Sequence, residues 1–338
     1  MNRRAAATVL AALTAAVALS ACGSKQDVTT TGGGLKRVDL VLDYLPNADH
    51  APIYAAQAIG AFKAEGLDVR IRTPSDPAAP LKLVAARQAD LAISYEPELL
   101  LARDKGAHLA AIGALVQKPL TSIISLGGKV KAAKDLKGEK VGTAGIPYQS
   151  AYLQTIAAAN GVEPSSVHEI NVGFNLIPSM LSKKVDATLG AFWNIEGVQL
   201  RRQHKKPTII RMDQVGVPTY QELVFVANND RLREKGVGDV MRRFLQAVSR
   251  GAKAVKANPA VGADALVKAD SSLDRATQLA QIEATLPVFF PEDPAFPFGF
   301  MNADEWKAYG QWMVKNKLVG RLPTPTSLTN EFLPGRGI

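Results

Sequence analysis

The chain has 338 residues, 40 of them Lys or Arg and 31 Asp or Glu, for a formal charge of +9. That length suits two domains of ordinary size or one large one. One cysteine, Cys22, excludes an internal disulfide framework. The basic residues are dispersed, and the densest run, Arg201-Arg202-Gln203-His204-Lys205-Lys206, lacks the interleaved aromatics of a single-strand nucleic-acid surface, so it reads as a solvated helix end.

At the start of the chain, Arg3 and Arg4 precede an apolar run from Ala5 to Ala18 that closes on Leu19-Ser20-Ala21-Cys22. This is the pattern of a bacterial lipoprotein signal peptide over residues 1–21. The run is shorter than the roughly 20 residues a spanning helix needs. Cys22 is then the expected lipidation site and first mature residue. Several acyl chains on it would give a stable anchor, where a single chain binds only marginally at about 0.8 kcal/mol per buried methylene. With that cysteine occupied, no thiolate metal ligand or cysteine nucleophile remains. Cleavage would remove two arginines and no acid, taking the charge from +9 to +7. Residues 22–35 continue as a Gly/Thr-rich flexible tether. The expected location is the bacterial periplasm or cell surface.

The first predicted strand, 37–42, stops at Asp43-Tyr44, and Pro46 breaks the backbone. Asn47 and Asp49 stand where a helix takes its N-cap, with Pro52 in the first turn of a helix over 51–59. A strand end facing a helix N-terminus gathers backbone donors and short polar side chains in a crevice. Gly60 closes that helix, and Gly66 opens a strand at 67–72. Strands follow at 91–94, 110–115, 121–126, 140–143, 168–171, 187–191, 207–212 and 222–227. Helical patterns fall at 79–86, 97–105, 149–159, 176–182, 195–204 and 231–258, with several more beyond Asp274. Strands alternating with helices predict an α/β fold with largely parallel sheets. There is no internal repeat. If the chain crosses between lobes near Ser125 and Ala227, residues 125–225 form an inserted second lobe, and 36–124 plus 226–338 form the first.

No catalytic signature emerges from the motifs. The chain has no Gly-x-Ser-x-Gly elbow, no phosphate loop and no Gly-x-Gly-x-x-Gly after a strand. Its four histidines, His50, His108, His168 and His204, have no partners at ligand spacing, so no metal site is expected.

Several segments carry a resemblance: Asp43-Tyr44-Leu45-Pro46-Asn47, Leu83 to Ser94, Asp135 to Gly142, Val185-Asp186-Ala187, Phe192 to Val198 and Pro218 to Asn228. Across about residues 36–330 the chain resembles the periplasmic binding proteins that carry the pyrimidine precursor of thiamine to an ABC transporter. It also resembles the fungal synthases that make that pyrimidine on the same fold. The Gly66-Leu67-Asp68-Val69 segment is shared with sulfonate and taurine binding proteins, so it marks only the wider superfamily. The resemblance implies a type II periplasmic binding protein fold: two α/β lobes joined by two hinge strands, with the ligand cleft between them. It implies a monomer with a small-molecule pyrimidine ligand (formylaminopyrimidine or hydroxymethylpyrimidine), ABC permease and ATPase partners, no cofactor and no nucleic acid. Where the synthases carry a lysine that binds pyridoxal phosphate and a histidine that is consumed, this chain has Ser94 and Glu98; where they carry a cysteine-rich iron site, it has Gly216 to Tyr220. Those departures argue against a synthase. A binding protein for riboflavin, a sulfonate or another heterocycle is the nearer alternative.

An aminopyrimidine presents flat apolar faces and a hydrogen-bonding edge, so it calls for aromatic walls and a carboxylate. Glu196 is the expected carboxylate and Trp193 an expected wall, one turn apart if the helix begins near Asn194, itself an expected ligand contact. Trp193 also suits a core position, and Glu196 a first-turn acid. In the first lobe Asp43, Tyr44, Asn47 and His50 follow the first strand, and Tyr95 and Glu96 follow the third. Asp43 equally suits a turn, and His50 a structural cap. In the second lobe Tyr148, Phe174 and Asn175 lie on strand-to-helix loops. Loop capping alone would also explain their composition. The aromatic run at 289–300 reads as packing against the first lobe.

Overall fold

The computed structural model describes residues 34–335; the signal-like segment and Cys22 lie outside them. Two five-stranded sheets organise the described residues. The first contains β1 (Lys36–Val41), β2 (Leu67–Arg72), β3 (Leu91–Ser94), β4 (Leu109–Val116) and β10 (Leu223–Asn228), in the order β2-β1-β3-β10-β4. The second contains β5 (Thr121–Ser125), β6 (Lys140–Thr143), β7 (His168–Asn171), β8 (Ala187–Phe192) and β9 (Thr208–Arg211), in the order β7-β6-β8-β5-β9. Every predicted strand is present to within one residue at each end. Strands such as β4, buried along its whole length, carry unbroken apolar runs because helices cover both faces. At the edge, β7 (His-Glu-Ile-Asn) is mostly exposed and polar, which discourages pairing with another chain.

Both sheets are mixed, where parallel ones were expected. In the first, β1 pairs parallel with β2 and β3, while β10 runs antiparallel to β3 and β4. In the second, β6 pairs parallel with β7 and β8, while β5 runs antiparallel to β8 and β9. The reversed strands, β5 and β10, are the two that bring the chain in from the other lobe. Each starts beside the carboxyl end of its neighbour: Thr121 pairs with Phe192, and Leu223 with Val116. The other strands therefore end toward the opposite lobe, and the loops that follow them line the interlobe face.

Sheet membership also moves the expected divisions. A boundary at 124/125 would cut β5, and one at 225/226 would cut β10; the sheets change instead over residues 117–120 and 212–222. Between these crossings Glu222, fully buried, forms a clasp. Its carboxylate accepts from Leu120 N (2.6 Å), Thr121 N (2.8 Å), Thr121 Oγ1 (2.8 Å) and the Tyr220 hydroxyl (3.0 Å).

The helices that position the site are α1 (Ala51–Ala58), α4 (Glu96–Asp104), α5 (Pro147–Ala159), α6 (Leu176–Leu181), α7 (Glu196–Arg202) and α11 (Arg275–Phe289). Between them in chain order lie short α2 (Ala61–Ala64), α3 (Pro80–Ala85), α8 (Asn229–Leu232), α9 (Val237–Ala257) and α10 (Pro259–Ala269), with α12 (Ala303–Lys315) last. The helix predicted over 231–258 is two: the first ends at Leu232 with Arg233 as its cap, and Gly236, at φ 85°, stands at the start of the second. Helix α10 was not predicted; Asn258 caps it and Pro259 opens it. Helix α9 lies so close to α1 that a Cβ at Gly251 would collide with the Pro52 carbonyl.

Candidate functional site

The turn after β1 is locked from within. The Asn47 side chain accepts from Asp49 N (2.9 Å), and Asn47 N donates to His50 Nδ1 (3.2 Å). With Nδ1 accepting, the His50 proton sits on Nε2, which donates to Asp43 Oδ1 at 2.8 Å. Tyr95, at the N-cap of α4, donates to the other oxygen, Asp43 Oδ2, at 2.7 Å. His50 thus braces Asp43, and Asn47 caps the turn. Asp43, His50 and Tyr95 are all buried.

From the second lobe, aromatic rings close over this turn. Phe174 meets Tyr44 edge-on at 4.8 Å between ring centres, and Tyr148 lies 5.6 Å from Tyr95. Phe192, at the end of β8, adds an edge contact to Tyr95 at 6.4 Å. The Tyr44 hydroxyl is buried without a hydrogen-bond partner, and burial raises its pKa, with Glu196 and Asp43 adding to the rise. These contacts put the lobes together at the site. An open depression of about 880 Å³ lies elsewhere, along the amino-terminal edge of the second sheet beside Lys140 and Asp186.

Glu196 is the first residue of α7, and its Oε2 accepts from Phe192 N at 2.7 Å. It keeps a partly exposed edge, yet desolvation pushes its carboxyl up to about 7 against the pull of the Phe192 bond, and Asp43 adds to the rise. Because α7 starts at Glu196, residues 193–195 are a turn, and Trp193 does not share a helical face with Glu196. Its Nε1 donates to the Pro119 carbonyl at 3.1 Å, and the Arg211 guanidinium covers its ring at 4.6 Å, so Trp193 is held against the crossing segment. Glu96 likewise turns to the hinge, accepting from Gln221 N at 2.8 Å. Asn175 is exposed on the loop before α6 and joins none of these contacts.

Asn194 is fully buried and reaches across to the first lobe. Its Nδ2 donates to Asp49 Oδ1 (2.6 Å) and to Thr285 Oγ1 (2.7 Å). Asp49, expected only as a cap, is fully buried with its carboxyl held well above the usual range by desolvation. Glu98, also absent from the expected site, accepts from Ser94 Oγ at 2.6 Å. Burial pushes it up to about 7, with Ser94 opposing and Asp43 adding to the rise. A signal for α11 was present in the sequence: Gln278, Gln281 and Thr285 recur at helical spacing on its buried side.

Asp43, Asp49 and Glu196 thus form an acidic group spanning the two lobes. Among the described residues no lysine or arginine pairs with any of the three. Nor does any group of three or more His, Cys, Asp or Glu there have the arrangement to hold a metal ion. Such a site disfavours anions and accepts a ligand edge rich in donors or carrying a proton.

A protein-family profile described as NMT1/THI5 like matches residues 47–261. The chain is 30% identical over 308 residues to the formylaminopyrimidine-binding protein of Halalkalibacterium halodurans, covering 90% of this chain and 92% of that one. It is 25% identical over 304 residues to the 4-amino-5-hydroxymethyl-2-methylpyrimidine phosphate synthase of Legionella pneumophila, covering 88% and 92%. The alkanesulfonate-binding protein SsuA of Xanthomonas axonopodis pv. citri, solved bound to MOPS, superposes with a TM-score of 0.64 at 16% identity, over 86% of this chain and 97% of that one. That likeness shows the fold: a two-lobed α/β architecture of the type II periplasmic binding proteins.

Proposed function

Because the chain belongs to the NMT1/THI5-like family, we propose that it is the substrate-binding component of an ABC importer for an aminopyrimidine of the formylaminopyrimidine or hydroxymethylpyrimidine class. The observation that carries this reading is the pair of acids Asp43 and Glu196 beside the aromatic rings of Tyr44, Phe174, Tyr95 and Tyr148, with no lysine or arginine paired to either among the described residues. An aminopyrimidine edge offers an exocyclic amine and a ring nitrogen that can hold a proton; a sulfonate would bring a second negative charge into an acidic site. The unpartnered Tyr44 hydroxyl is a further polar contact for such an edge.

In this reading the protein binds and does not catalyse. Ser94 and Glu98 occupy each other where a synthase needs its lysine and histidine. Ligand bridges the two lobes and favours the closed arrangement through its greater affinity for it. Permease and ATPase subunits then receive the closed form, with the protein held at the membrane through lipid on Cys22. A thermal-shift panel on the chain without its first 34 residues tests the reading. At 100 times Kd a ligand adds about 2.7 kcal/mol, which raises Tm by several degrees in a protein of this size. Aminopyrimidines should do this; a shift with riboflavin or taurine alone would contradict it.

A further inference from the structure

Asp49 and Asn194 come from different lobes, and both are fully buried. Asn194 Nδ2 donates to Asp49 Oδ1 at 2.6 Å, yet Asp49 Oδ2 and Asn194 Oδ1 have no donor. An ionised carboxylate beside an amide leaves this deficit, since the carboxylate has nothing to give back. One proton on Asp49 Oδ2, donated to Asn194 Oδ1, would supply both missing partners. A carboxylic acid and a carboxamide form a cyclic pair, each donating once and accepting once. We propose that Asp49 is held as the neutral acid in a cyclic pair with Asn194, making a proton-dependent latch between the lobes.

The surroundings fit a neutral acid. The charged groups facing Asp49 are Asp43 and Glu196, which push its carboxyl in the same direction as burial does, while the bonds from Asn194 and Thr285 pull the other way. Helix α11 presents the uncharged Gln281 and Thr285 to this junction, and its Glu283 is exposed; on α10, Asp264 and Lys268 are exposed. His50, the next residue, directs its proton to Asp43. A second hook supports the latch: Gln281 Nε2 donates to the Ile195 carbonyl at 2.9 Å, tying the same turn of the second lobe to α11. The latch does not depend on which ligand the cleft takes.

The test uses the full chain without ligand and the variants Asp49→Asn, Asp49→Ala and Asn194→Ala. Asparagine at position 49 copies the neutral acid, donating through its amide, but cannot ionise. Folded Asp49 binds its proton more tightly than unfolded Asp49, so rising pH weakens the wild type relative to D49N. The ratio of their folding constants, from chemical denaturation between pH 5 and 8, should fall with pH by up to about tenfold per unit. D49A should be weaker than D49N throughout. A ratio that stays constant from pH 5 to 8 would overturn the neutral acid. Small-angle scattering reads the interlobe role: N194A should have a larger radius of gyration than wild type at pH 6, and unchanged scattering would overturn it.

Discussion

Ser94 donates its hydroxyl to Glu98 across 2.6 Å, one helical turn further along the chain, and both side chains are buried beneath the interlobe face. The two residues satisfy one another at the positions where the resemblance implies a lysine and a histidine in the synthases. Glu98 titrates near 7 through burial, so between the ordinary carboxylate range and about pH 7 the folded state binds more protons than the unfolded. Stability contributed by this site is therefore present at low pH and lost as pH rises through about 7, up to about 3 kcal/mol in all. Glu98→Gln should flatten that slope in denaturant titrations from pH 5 to 8 and leave the variant more stable than wild type at pH 8. An unchanged slope would mean that Glu98 is solvated in the folded protein.

Glu196 gives the cleft a pH profile of its own. A carboxyl and a ring nitrogen share one proton in the bound pair, whichever atom holds it. Below about pH 7 free Glu196 already carries that proton, so aminopyrimidine affinity should be flat there. Above 7 binding must take one up, and affinity should fall by up to about tenfold per pH unit. Glu196→Gln should weaken binding more than tenfold at pH 7 and abolish the decline; isothermal titration across pH 6 to 9 measures both.

The buried Tyr44 hydroxyl separates the needs of binding from those of folding. With no protein partner it costs stability, so Tyr44→Phe should be as stable as wild type or more so in thermal denaturation. The same change should weaken aminopyrimidine binding by about 0.5–1.5 kcal/mol, the worth of an ordinary hydrogen bond. Equal affinity would take the hydroxyl out of the ligand's reach.

The Glu222 clasp should matter to stability more than to recognition. Glu222→Ala strands the Leu120 and Thr121 amides at a buried crossing, each at a cost of about 1–3 kcal/mol. Chemical denaturation should register a loss within or above that range. Little change would mean that water replaces the carboxylate there.

How far the sequence could be read depended on the range of the interactions. Strands were legible because apolar runs bounded by glycine, proline and aspartate are local signals. The direction of β5 and β10 was not, since a strand entering a sheet from the hinge has the same composition as one leaving it. For the same reason the lobe divisions were misplaced by a few residues. Helix α10 was overlooked although Asn258-Pro259 is a cap followed by a proline at the first helical position; those two residues also suit the end of the preceding helix. In the site, the Asp43 turn was readable because its partners are close in sequence, with His50 seven residues away. The Asp49 contacts lie 145 and 236 residues away, and no local pattern announces them. Trp193 and Glu196 were expected on one helical face, but the turn at 193–195 delays α7 to Glu196 and separates them.

A donor-bearing aminopyrimidine, and not an anion, should complete the acidic site between the lobes. Calorimetric titration of the chain without its first 34 residues at pH 6.5 tests it most directly, with formylaminopyrimidine, hydroxymethylpyrimidine, riboflavin and taurine as separate titrants. The expected result is saturable one-to-one binding of at least one of the two aminopyrimidines, weakened more than tenfold by Glu196→Gln, with no heat from taurine. Tight binding of taurine or riboflavin and none of either aminopyrimidine would contradict it.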